Sequence, residues 1–178
     1  DQSQYRWLTG DVNGDGATDL IAARLTKTGN VATVRLGVPG DPEEGISEPQ
    51  VWHQDGQNWK NYHHFARDVN GDGLTDLVAS HLSSSSGNVV YVQLSTGSSF
   101  TAPQKWTHIA TNWQGYQSLM ADLNGDGRSD MVYYALTAGM IDIEVQLSTG
   151  DGFAPLQKWF YRGNNWSGHT MHVGDMNG

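Results

Sequence analysis

Cysteine is absent from this sequence, which removes both a disulfide framework and any thiolate metal site. Proline occurs 5 times and glutamate 4 times in 178 residues. Lys and Arg together number 10 against 19 Asp plus Glu, a formal charge of −9. That balance leaves no surplus of cations to neutralise phosphates, so no nucleic-acid partner is expected. Apolar runs are short: none reaches the length needed to cross a bilayer, and residues 1–20 lack the apolar stretch of a secretory leader. No segment keeps a helical i, i+3, i+4 apolar spacing for three turns. What is present is 22 glycines and a charged fraction of only 16%, a profile that suits a turn-rich β protein.

The acidity is concentrated. Of 15 aspartates, 10 fall in one recurring pattern, Asp-x-Asn-Gly-Asp-Gly-x-x-Asp followed by an apolar residue. It runs Asp11–Asp19 before Leu20, Asp68–Asp76 before Leu77 and Asp122–Asp130 before Met131, and it begins again at Asp175-Met-Asn177-Gly178. The first aspartates are 57, 54 and 53 residues apart, the period of solenoids and propellers. Other columns keep step: Trp52, Trp106 and Trp159; Asn58-Trp59, Asn112-Trp113 and Asn165-Trp166; Tyr5, Tyr62, Tyr116 and His169. Val92–Gly97 and Val145–Gly150 match residue for residue. The first repeat is longer by about four residues within Gly37–Glu48, read as a surface insertion.

Each repeat reads as four short strands. In the third these fall around Tyr116–Ala121, Asp130–Ala135, Ile141–Leu147 and Gln157–Tyr161, rich in Val, Ile, Tyr and Trp and separated by Gly, Asn, Ser and Pro. The expected fold is therefore all-β, with four-stranded antiparallel blades of a β-propeller. Repeat boundaries fall near 1–57, 58–111 and 112–164, with a partial repeat over 165–178.

The acidic loop presents oxygen at alternate positions of a tight turn. Side chains of Asp11, Asn13, Asp15 and Asp19, with the carbonyl of Ala17, make a hard-oxygen set. Its repeats are Asp68, Asn70, Asp72, Leu74 and Asp76, then Asp122, Asn124, Asp126, Arg128 and Asp130, with Asp175 and Asn177 opening a fourth. Such a set suits Ca²⁺ better than Mg²⁺, and the lack of Cys or His in it disfavours softer metals. About one Ca²⁺ per complete repeat is expected. Three ions would bring the net charge from −9 to −3. An EF-hand needs a Glu at position twelve and flanking helices; here Ala22, Ala79 and Tyr133 stand there. The plainer alternative is an Asn-Gly-Asp-Gly turn that binds nothing.

These loops and repeats resemble the FG-GAP and VCBS repeats of integrin-type calcium-binding β-propellers, a group that includes lectin-like members. Phe153-Ala-Pro155 after Gly150-Asp-Gly152 adds to the likeness, and Phe100–Pro103 does so loosely; the first repeat has Ile46–Pro49 instead. The resemblance implies calcium in the hairpin between the first two strands of each blade and a ring of about seven blades. It also implies a secreted or extracellular setting and a role as ligand-binding head, adhesin, lectin, or propeller module of a toxin or hydrolase. Three repeats and a fraction are too few for a closed ring, so further blades are expected, from the same parent chain or from other chains.

The Asn-Trp pairs Asn58-Trp59, Asn112-Trp113 and Asn165-Trp166 sit in polar surroundings. They read either as sugar-stacking sites, an indole beside amides, or as packing between blades. Trp52, Trp106 and Trp159, inside strands, are expected in the core. His63-His64 and His169/His172 are weak metal-pair candidates that read better as strand positions. Nothing resembles a catalytic fingerprint, and the scattered Asp41, Glu43, Glu44 and Asp142 have no partner His; the chain is expected to be non-catalytic. The leading expectation is a calcium-stabilised, carbohydrate-binding module. A protein-binding adhesin or toxin-type scaffold and an accessory domain of a secreted hydrolase are the alternatives.

Overall fold

Strands begin where each acidic loop ends, because the apolar residue after its last Asp starts a run that must bury one face. The computed structural model describes residues 4–26, 29–40 and 45–174. Their strands are β1 (Tyr5–Gly10), β2 (Asp19–Thr26), β3 (Gly29–Arg35), β4 (Gln50–Asp55), β5 (His63–Arg67), β6 (Asp76–Ser83), β7 (Gly87–Gln93), β8 (Gln104–Ile109), β9 (Gln117–Ala121), β10 (Asp130–Leu136), β11 (Ile141–Gln146) and β12 (Gln157–Arg162). They form three four-stranded sheets in simple meander order, β1-β2-β3-β4, β5-β6-β7-β8 and β9-β10-β11-β12. The first two strands of each sheet pair antiparallel, with Gly10 opposite Asp19, Arg67 opposite Asp76 and Ala121 opposite Asp130. Each acidic loop is thus the turn between the first two strands of a sheet. The four strands expected of the third repeat lie within about one residue of where they are observed.

The chain divides into two compact units: Asp1–Asp68 with Asp72–His81 and Val90–Lys105, and Val69–Gly71 with Leu82–Val89 and Trp106–Gly178. In the first unit, β2 buries alternate residues, Ile21, Ala23 and Leu25, as a one-sided strand should. Ile21, Ala32, Val34 and Trp52 pack with Ala66, Leu77, Phe100 and the loop residue Val12. A second cluster joins Ala23 and Leu25 to Trp59 and Ala79, with Tyr62 and Tyr91 against it. The Ser95 hydroxyl donates to the Val12 carbonyl at 2.6 Å, and the Thr75 amide to the Asp11 carbonyl at 2.7 Å, tying one repeat to the loop of the one before.

The second unit repeats this construction. Met131, Tyr133 and Val145 are buried, and Trp113 lies against Tyr133 and Tyr116 at centroid distances of 4.8 and 5.1 Å. Ser148 donates to the Val69 carbonyl at 2.5 Å, the counterpart of the Ser95 bond. Trp106 meets Phe153 as Trp52 meets Phe100, both with centroids 5.4 Å apart. Trp159 departs from the expected core position: it is 46% exposed, and among the described residues no phenylalanine covers it. Position in the repeat is shared by the three indoles; the covering side chain is not.

Candidate functional site: the acidic hairpins

In the first hairpin the side chains at positions one, three and five turn onto the loop's own amides. Asp11 accepts the Gly14 and Gly16 N–H groups on its two oxygens at 2.7 and 2.9 Å. Asn13 accepts the Asp15 amide at 3.2 Å and donates through Nδ2 to Asp15 Oδ2 at 2.9 Å, while Asp15 Oδ1 accepts the Ala17 amide at 2.8 Å. Gly14 and Gly16 lie at φ 78° and 83°, where a Cβ would be strained, so the motif's two glycines are conformational requirements. The third hairpin repeats these bonds through Asp122, Asn124 and Asp126. In the second, Asp68 accepts the Gly73 amide at 2.9 Å and Asp72 the Leu74 amide at 2.8 Å.

The ninth residue has a different position from the others. Asp19, Asp76 and Asp130 are fully buried. Asp19 accepts the Val12 amide on one oxygen and the Gly37 amide on the other, both at 2.8 Å. Asp130 takes Leu123 and Ser148 at 2.9 and 2.8 Å, and Asp76 takes Ser95 at 2.8 Å. This carboxylate therefore staples the hairpin to the end of the third strand. Burial pushes the Asp19 and Asp130 carboxyls above the usual range; the two amides oppose the shift and the neighbouring loop aspartates add to it. Asp126 is held below the usual range by the Arg128 amide and Asn124, and then by the Arg128 charge.

One difference separates the hairpins. Position seven is Ala17 in the first and Leu74 in the second, but Arg128 in the third, and its guanidinium meets Asp126 Oδ2 at 2.6 Å. Arg128 Nε also donates to the Ser148 carbonyl at 3.3 Å. A cation of the chain's own already stands on that loop.

The donor set is hard oxygen throughout and fits a calcium ion in kind. A carboxylate has about four lone-pair sites, so an oxygen holding one loop amide retains capacity for a cation. Among the described residues, however, no three Asp, Glu or His side chains stand close enough together to enclose one. Asp175 and Asn177 of the partial fourth loop, and Asp41, Glu43 and Glu44 of the insertion, lie outside the described residues.

Of the two readings of the Asn-Trp column, burial favours packing for Trp59 and Trp113. Trp59 and Trp113 are each only 3% exposed. Trp59 meets Tyr62 and Tyr91 edge-on and donates Nε1 to the Asp55 carboxylate at 3.1 Å; Trp113 donates Nε1 to the Ile109 carbonyl at 3.3 Å. Covered indoles have no face to offer a pyranose. Asn58, Asn112 and Asn165 close turns instead, each accepting the amide two residues on from Lys60, Gln114 or Ser167. Trp166 is half-buried against His169. His64 bonds to the Trp59 carbonyl at 3.3 Å, and burial drives its pKa down to about 4. Asp142, which the sequence leaves without a partner His, is buried and accepts from Tyr116 and Lys158 at 3.0 and 2.9 Å. Sequence reading also missed the role of Ser95 and Ser148, although their segment repeats residue for residue.

Three meander sheets, each turned on an acidic hairpin, define an all-β repeat protein with propeller-like blades. Residues 68–133, spanning the second and third hairpins, match the family model of the FG-GAP-like repeat. No curated protein matches the chain.

Proposed function

We propose that the chain is a non-catalytic, calcium-braced binding module of a secreted or extracellular protein, completed by further blades. The supporting observation is the shared construction of the hairpins: hard oxygens at positions one, three and five, above a buried ninth aspartate that fixes the loop to its sheet. Asp11, Asn13 and Asp15, with Asp68, Asn70 and Asp72 and with Asp122, Asn124 and Asp126, are the side chains that would hold the ions. The carbonyls of Ala17, Leu74 and Arg128 and the aspartates Asp19, Asp76 and Asp130 complete the set. Bound calcium would neutralise crowded carboxylates and stiffen the hairpin. Millimolar extracellular calcium suits modules of modest affinity.

For the ligand, a protein surface is favoured over a glycan, because Trp59 and Trp113 are consumed by packing. The carbohydrate reading keeps one supporting feature, the exposed Trp7 and Tyr5 with ring planes 21° apart. Thermal melts test the cation: EDTA lowers the melting temperature and Ca²⁺ restores it better than equal Mg²⁺. Indifference to all three would leave the hairpins as self-closed turns. A glycan array tests the ligand; calcium-dependent signal lost in Trp7→Ala would reinstate the lectin.

A further inference from the structure

We infer that Asn165 is the acceptor of an N-linked oligosaccharide, carried on the turn that follows β12. The inference rests on the reading of the protein as secreted or extracellular. Asn165-Trp166-Ser167 is the only complete Asn-x-Ser/Thr triplet in the sequence, and its middle residue is not proline. Each repeat has the same turn, but Asn58 and Asn112 are followed two residues on by Lys60 and Gln114. The asparagine is thus a turn residue in all three repeats, whereas the hydroxyl beside it belongs to the third alone.

Ser167 donates twice to Asn165 Oδ1, from its amide at 3.0 Å and from its hydroxyl at 2.6 Å. Asn165 is exposed, and its Nδ2 has no protein partner among the described residues. An amide nitrogen is a poor nucleophile because its lone pair is delocalised onto oxygen. Two donors on Oδ1 stabilise the negative charge that gathers there as Nδ2 gives up a proton. Nδ2 then bonds to the anomeric carbon of an oligosaccharide carried on a lipid pyrophosphate. The bond from that carbon to the phosphate oxygen breaks, the lipid pyrophosphate leaves with the electron pair, and the Nδ2 proton passes to a base of the transferase. Nothing is oxidised or reduced. Both hydrogen bonds lie within three residues, so the geometry forms locally.

The folded structure leaves room for the product. Trp166 donates its amide to the Thr137 carbonyl at 2.9 Å and accepts the His169 amide at 3.2 Å. Trp113 makes the same pair of bonds, to Ser83 at 3.3 Å and from Tyr116 at 3.1 Å, so the two turns are built alike. In the second turn Tyr133 of the following sheet covers the indole, yet Asn112 and Gln114 stay exposed. Asn58 and Lys60 are exposed beside the buried Trp59 in the same way. A sheet packed on the indole therefore leaves its flanking residues in solvent, as a bulky, hydrated group requires.

Secretion of the intact chain from a eukaryotic host behind a cleavable leader, followed by whole-chain and peptide mass measurement, tests the inference. The expected result is a heavier chain whose excess lies on the peptide containing Asn165 and is removed by peptide-N-glycosidase. Asn165→Asp keeps the oxygen that closes the turn but lacks Nδ2, and it loses the modification completely. Ser167→Ala loses it too, and Ser167→Thr retains it. Gln114→Ser, which supplies the hydroxyl beside a covered indole, gains a second glycan at Asn112. Equal melting temperatures after deglycosylation certify that the variants fold. A secreted parent chain without a glycan, or a glycan that persists in Asn165→Asp, overturns the inference. So does a Gln114→Ser chain modified at Asn165 alone, since a turn beside a packed sheet would then be closed to the group. Native protein recovered from the medium with Asn165 bare sinks this inference and spares the secreted reading; native protein confined to the cell interior sinks both.

Discussion

A carboxylate enclosed by protein is tolerated only when its oxygens are occupied, and Asp130 meets that condition with two backbone amides from opposite sides. Replacing it by Asn turns an amide group toward a main-chain N–H and leaves one donor unsatisfied. Asp130→Asn is expected to lower unfolding free energy by about 2 kcal/mol, read by urea titration. An undiminished midpoint would deny the staple. Arg128 offers the second prediction at this scale. Its guanidinium sits on Asp126, where the other hairpins have Ala17 and Leu74. If the hairpins take calcium, the third competes with its own side chain and is the weakest. Arg128→Ala then tightens that site by roughly two- to fivefold, the scale of an exposed ion pair. Calorimetric titration would show three sites becoming more alike; unaltered binding would remove Arg128 from the account.

At the scale of strands and turns, β5 carries a titratable group into the first unit's packing. His64 lies against the Trp59 carbonyl with a pKa of about 4, set chiefly by burial, with Arg6 and His63 pushing the same way. Its folded value lies below its unfolded one, so the stability it contributes is complete above about pH 6.5 and drains away as pH falls toward 4. The limit is on the order of 3 kcal/mol. His64→Gln should flatten the loss of stability between those pH values relative to the parent chain; parallel curves would count against it.

Much at this scale was legible beforehand. The hairpins announced themselves through Asn-Gly-Asp-Gly turns. The strands did so through alternation, so that Ile141–Gln146 and Gln157–Arg162 fall where Val, Ile and Trp cluster. Less legible was what covers each side chain. Trp52 and Trp159 occupy one column, yet one is 5% exposed and the other is not covered, because a periodic sequence records a residue's place in its own repeat and not its neighbour across the joint. The Asn-Trp pairs left two readings open for a related reason. A polar flank reads as exposure, whereas Asn112 uses its side chain to close a turn that tucks Trp113 inward. The use of Asp19 as a staple was hidden too, since Gly37, which it holds, is remote in sequence.

Over the molecule as a whole, the charge is −9 and nine aspartates belong to the three complete hairpins. Calcium-free protein therefore carries its repulsion in small clusters, which dissolved salt screens over distances of about 10 Å at 0.1 M. Raising sodium chloride from low to moderate concentration should lift the melting temperature in EDTA by about 3 °C and change the calcium-saturated protein little. Equal salt effects in both states would mean that the hairpins are not where the electrostatic strain resides.

The bonds from Ser95 to Val12 and from Ser148 to Val69 have a mechanical meaning. Each grips the carbonyl next to the first aspartate of a hairpin, so whatever freezes or loosens that hairpin tugs on the following sheet. An array clasped in this way transmits disturbance stepwise along its length, each repeat answering to its immediate neighbour, like links pulled taut in sequence.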